Sequence, residues 1–141
     1  MDQAPDFVVE AEGDLYTDRY SNNGSCPMWC FSSTCVVRLG EDVFVSGYER
    51  LPGAPPLNDC RWVLFRNTAA SWERVQADAI GRQREPRPLG CLPDGRVLLS
   101  SNPTLLPPGA AGGGPARPEL LVFDAADLAA PAEAQARFDL A

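Results

Sequence analysis

The chain contains no histidine. That removes Ser-His-Asp and Cys-His nucleophilic machinery and every histidine-bearing metal site. Acid–base chemistry is left to Asp, Glu, Tyr and Cys. The five cysteines, Cys26, Cys30, Cys35, Cys60 and Cys91, contain no C-x-x-C pair, and the Cys26-Cys30-Cys35 spacing is not that of a zinc ribbon. No metal and no cofactor is therefore expected. Cys35 and Cys91 read as small buried apolar residues. Cys26 and Cys30 are the closest candidates for a disulfide, and the odd count leaves at least one thiol unless chains pair. Hydrolysis by two carboxylates needs a pair on one face at a fixed separation. Glu49, Asp59 and Glu85 are the loop acids available, and sequence spacing leaves open whether they pair or are solvated loop acids. The catalytic residues, if any, are not visible. All twelve basic side chains are arginine, so every cation offers a planar, bidentate donor fork. Arg84 and Arg87 flank Glu85 in a segment stiffened by Pro86 and Pro88.

Elements that hold such residues are short strands. At 141 residues and 45% hydrophobic content, the chain is long enough for one domain with a core. A net charge of −7 argues against a nucleic-acid partner. No apolar run approaches the length of a membrane span, so no membrane insertion is expected. The acidic start, Met1-Asp2-Gln3-Ala4-Pro5-Asp6, is no signal peptide; either the protein stays where it is made or its export signal lies elsewhere. From Thr34 onwards, Val, Phe and Trp enrichment between short polar turns predicts four strands, at residues 35–39, 43–47, 61–66 and 71–75. The pattern then returns at 88–92, 96–101 and 119–124, with an Ala-rich tail that is either helical or a last strand at 136–140. Residues 42–47 match 96–101, and 62–65 match 120–123, a hairpin–loop–hairpin unit recurring every ~50 residues. Residues 1–33 would be a leading strand and loop, 34–78 a first unit and 86–141 a second, with a long Pro/Gly loop at 102–117. The fold class is all-β and β-propeller-like, with about two four-stranded antiparallel blades. The alternative is two unrelated hairpins in a small sandwich.

Three segments carry a family likeness. Arg66-Asn67-Thr68-Ala69-Ala70-Ser71-Trp72 resembles the Asp-box hairpin of the sialidase-like (BNR-repeat) β-propellers. It keeps the aromatic Trp72 but lacks the Asp and paired Gly of the full motif. Arg84-Glu85-Pro86 is similar to the Arg-x-Pro element that aims an arginine at the family's pocket, and residues 92–98 resemble the inner hairpin of its blades. The resemblance implies a carbohydrate-directed, glycoside-hydrolase-like protein, a glycan ligand and export. The alternative is a non-catalytic segment that binds glycan or protein. It further implies that function gathers at the loops 22–33, 49–59, 83–88 and 102–117, with the 67–70 turn structural and on the opposite face. On that basis Arg84 with Glu85 would bind a substrate carboxylate or sugar hydroxyl; the alternative is a surface ion pair worth under about 1 kcal/mol. Asn102, Arg50 and Asn58 would line a polar pocket, with Trp29 either a stacking platform for a sugar or a core residue. Tyr48 reads as packing, and Trp62 and Trp72 as core. Propellers close with about four to eight blades, so missing blades or self-association is expected.

Overall fold

The computed structural model describes residues 12–17, 33–68, 71–79, 82–85, 87–129 and the backbone of 133–137. Eight strands form two four-stranded antiparallel sheets, each with its strands in sequence order. The first sheet holds β1 (Val36–Leu39), β2 (Asp42–Arg50), β3 (Cys60–Asn67) and β4 (Trp72–Ala77). The second holds β5 (Leu89–Cys91), β6 (Arg96–Ser101), β7 (Glu119–Asp124) and β8 (Glu133–Arg137). The protein is all-β, and its two sheets do not close a ring. The Ala-rich tail is a strand rather than a helix, and it begins earlier than its apolar residues suggest. Pairing of Glu133 with Val122 and Ala136 with Leu120 outweighs alanine's helix propensity, a weak prior that tertiary context overrides.

Period-two alternation decides which face each strand buries. On the first sheet Phe44, Trp62 and Leu64 face the second, which presents Leu89, Val97, Leu99, Leu121 and Phe123 in return. The β7–β8 turn adds Ala125 and Leu128 to this core. Trp62 meets Phe123 edge-to-face at 5.9 Å between ring centroids, a geometry aromatic pairs favour over a flat sandwich. Arg66 lies over the Phe44 ring at 5.9 Å while its fork holds Asp42 across the strand pair at 2.8 and 3.1 Å. Each core side chain contributes about 1.5–3 kcal/mol by leaving water. Both outer strand pairs, β3–β4 and β7–β8, carry a register shift, which sharpens local twist. The first strands of the two sheets lie beside each other, Leu89 N donating to Thr34 O at 2.6 Å and the Cys91 thiol to Arg38 O. At the outer edges the Gln76 amide donates to Leu128 O at 2.9 Å.

The far face of the first sheet is not bare, as a two-unit reading implies. Tyr16 stacks on Phe65 at 5.2 Å and lies so close over Gly47 that a Cβ there would sit 2.8 Å from its ring. Glycine is what lets the aromatic ring seat against the strand. Tyr16 thus packs on the sheet from a segment that is not a strand. Two further expectations are corrected. Trp72 is half-buried rather than core, and Cys35 and Cys91 are half-buried free thiols, whereas Cys60 is fully buried. Trp72 and Cys91 lie on β4 and β5, the edge strands of their sheets. The leading strand at 7–12, Cys26, Cys30 and Trp29 lie outside the described residues, Glu12 apart.

Candidate functional site

Antiparallel order places the β2–β3, β4–β5 and β6–β7 connections at one end of the molecule, all of them long. The β1–β2, β3–β4 and β5–β6 turns lie at the other. A long loop needs partners for its main-chain polar groups. Here they come from other loops. Gln83, fully buried, pairs its main chain with Cys60 in both directions, at 2.6 and 3.1 Å. Its side-chain nitrogen donates to Asp78 Oδ2 at 2.8 Å and to Ser101 Oγ at 2.9 Å. Its side-chain oxygen accepts from Asn102 N at 3.1 Å. One glutamine therefore fastens all three loops, and removing a buried amide so satisfied costs about 1–3 kcal/mol.

The residues expected to line a pocket are distributed around this knot. Arg50 closes β2 rather than lying in a loop, because the β2–β3 ladder runs on to pair it with Cys60. Its Nε meets the fully buried carboxylate of Asp59 at 3.2 Å. Asn58, also buried, donates its side-chain nitrogen to Gly112 O at 2.5 Å and Gly113 O at 2.9 Å. Arg84 pairs with Glu85 at 3.4 Å, and its Nη1 lies 3.9 Å from where a side chain on Gly113 would begin. Asn102 takes part through its main chain. Asn58 and Arg84 are thus brought together beneath the glycines of the 102–117 loop. Arg50 is engaged with Asp59 and Asn102 with Gln83.

That loop is itself a short ladder. Leu105 N donates to Pro115 O and Arg117 N to Pro103 O, both at 2.9 Å. Its tip, residues 106–114, bends back over the β2–β3 loop. The left-handed Gly109, Gly112 and Gly114, at φ of 83°, 105° and 55°, permit the reversal. Arg82 grips the tip from the β4–β5 loop, with Nη1 to Leu106 O at 2.8 Å and Nη2 to Ala110 O at 3.3 Å. Among the described residues, the non-glycine residues at positive φ are Leu57, at 77°, and Arg82, at 63°. One precedes Asn58 and the other is the second grip. Such backbone costs about 1–3 kcal/mol each and persists where its surroundings over-determine it.

None of the candidate acids stands apart from a cation. Glu49 is shared by Arg61 and Arg74 across three strands, Asp59 by Arg50 and Glu85 by Arg84. Arg87, which flanks Glu85 in the sequence, is 1% exposed, its carbonyl accepting from Ser46 Oγ on β2. Tyr48 is buried in the sheet as packing. No group of His, Cys, Asp and Glu suited to a metal ion occurs among the described residues. Sequence reasoning missed Gln83 and Arg82. Gln83 and Arg82 sit in a polar stretch whose only sequence signal is its lack of strand pattern, and Asp59 read as one more loop acid.

No protein-family model matches the chain, and neither the curated proteins nor the solved structures contain a match.

Proposed function

We propose that the chain is about two blades of a sialidase-like β-propeller whose loop end recognises a glycan and lacks the catalytic acids. The observation that carries this reading is the stacking of two meanders with their first strands side by side. That arrangement gathers the three long loops around one buried polar network. Arginine forks and amides at such an end suit hydroxyl and carboxylate oxygens. The glycoside-hydrolase reading is weaker, because each candidate carboxylate faces an arginine, whereas a general acid is a carboxyl kept away from cations.

A glycan array and a fluorogenic glycoside screen, run on the wild type and Arg84→Ala, test this. Binding without turnover, weakened in the variant, is expected. Turnover abolished by Arg84→Ala would make the protein an enzyme. A protein ligand with no glycan binding would make it a scaffold.

The repeat also bears on assembly. Leu98, Leu120 and Val122 share the far face of the second sheet and correspond to Phe44, Trp62 and Leu64, which are covered on the first. Further blades or another copy would extend the stack there. Size-exclusion chromatography with light scattering is expected to show self-association of this chain alone; a stable monomer would contradict the two-blade reading.

A further inference from the structure

We propose that the 106–114 tip is a displaceable lid, whose main-chain carbonyls occupy on Asn58 and Arg82 the donors that a carboxylate- or hydroxyl-bearing ligand takes when it binds. This rests on the loop end being the binding face. Four acceptors fill these donors, Leu106 O, Ala110 O, Gly112 O and Gly113 O, and all four are neutral main-chain oxygens. A carboxylate offers the same oxygens with a charge, and a charge-assisted bond to arginine is about twice as strong as a neutral one.

The tip has little else to hold it. Pro107, Pro108, Gly109 and Ala111 are exposed, Leu105 is half-exposed, and Leu106 is only partly buried. Its donors, in contrast, are fixed. Asn58 is 5% exposed, and the positive-φ backbone at Arg82 and at Leu57 beside Asn58 persists only where its surroundings fix it. Strain at one grip, Arg82, and next to the other, Asn58, fits donors that are set before a ligand binds. Arg84 beside Gly113 would add a further fork once the tip moves.

Glycine at 114 shapes the tip itself, since the Leu106 it packs against belongs to the same segment. A Cβ there would lie 2.4 Å from Leu106 Cγ, at a φ of 55°. Gly112, at 105°, has open space around it, so alanine there strains the backbone alone. Both substitutions raise the open fraction without touching a donor. Apparent affinity falls with the competent fraction, so a lid closed about ten to one hides about tenfold in affinity.

The test uses the full chain and sodium D-glucuronate, with D-glucose as the uncharged control, followed by calorimetry and by amide exchange at residues 105–117. Affinity for glucuronate is expected to rise from wild type through Gly112→Ala to Gly114→Ala, by up to about tenfold. Saturation should speed amide exchange across the wild-type tip. Equal affinity in all three proteins, with exchange showing the variant tips open, overturns the lid and leaves the binding face standing. Absence of glucuronate binding in all three, the tips again open, overturns the lid together with the ligand class assigned to it. Should Gly114→Ala fail to fold, Gly112→Ala against wild type carries the same comparison.

Discussion

The two ends of the molecule are built on opposite principles. At the turn end most contacts close over two or three residues, Arg38 with Glu41, Thr68 with Ser71 and Asp94 with Arg96, the Arg66–Asp42 fork being a longer exception. At the loop end they join residues far apart in sequence, Asn58 to Gly112, Gln83 to Ser101 and Ser46 to Arg87. The 38–41, 68–71 and 94–96 turns are thus held chiefly by their own residues. The loop end joins both sheets, and among the described residues the buried polar side chains gather there. Long-range polar contacts are where a fold invests in specificity rather than in local stability.

Trp62 and Trp72 give the largest test of that difference. Trp62→Ala, between the sheets, should cost about 3–5 kcal/mol in urea unfolding. Trp72→Ala, half-buried beside the 68–71 turn, should cost less than half as much. Equal losses would mean that the turn end is as integrated as the core.

Gln83→Ala comes next, with an expected loss of about 1–3 kcal/mol and exchange of the Cys60 and Asn102 amides accelerated together. Thr68→Ala removes hydrogen bonds of the same kind at the turn end, yet exposed to water they should contribute under about 1 kcal/mol. The contrast would collapse if Gln83→Ala disturbed only its own loop.

Gly47→Ala should destabilise by about 1–3 kcal/mol, because the new methyl overlaps Tyr16 and overpacking is felt. In a Tyr16→Ala background the same change should be close to neutral. A cost that persists there would show that Tyr16 does not seat on this face.

The smallest effect belongs to Asp94. Its hydrogen bond to Arg96 holds its carboxyl below the ordinary aspartate value, and the same pairing raises Arg96. A folded value below the unfolded one adds stability above the ordinary aspartate pKa, lost as pH falls through the folded value. Both groups are exposed, so salt screens the pair. Asp94→Asn should leave the unfolding midpoint unchanged at pH 7, while carboxyl NMR shows the Asp94 titration returning to normal in Arg96→Gln.

What was legible in the sequence follows the same division. Seven of the eight strands announce themselves through alternating Val, Leu, Phe and Trp, and the turns through Gly40, Asn67 and Gly95, because both signals are local. The eighth, Glu133–Arg137, is left open between helix and a strand at 136–140 by its alanines, and its pairing with β7 decides it. Arg84, Asn58 and Asn102 are found at the loop end as expected, but nothing in their spacing reveals that Asn58 holds Gly112 and Gly113. Gln83 and Arg82 lie in a stretch with no pattern at all, and their roles come from residues far away in the chain. Tyr16 over Gly47 is likewise invisible until the strand register is known.

The central claim is that recognition belongs to the loop end. An amide NMR titration with sodium D-glucuronate tests it most directly. Shifts confined to Asn58, Gln83, Asn102 and Gly112–Gly114, with Gly40, Thr68 and Gly95 unmoved, are the predicted result. Shifts centred on the turn end, or spread evenly over both, would contradict it.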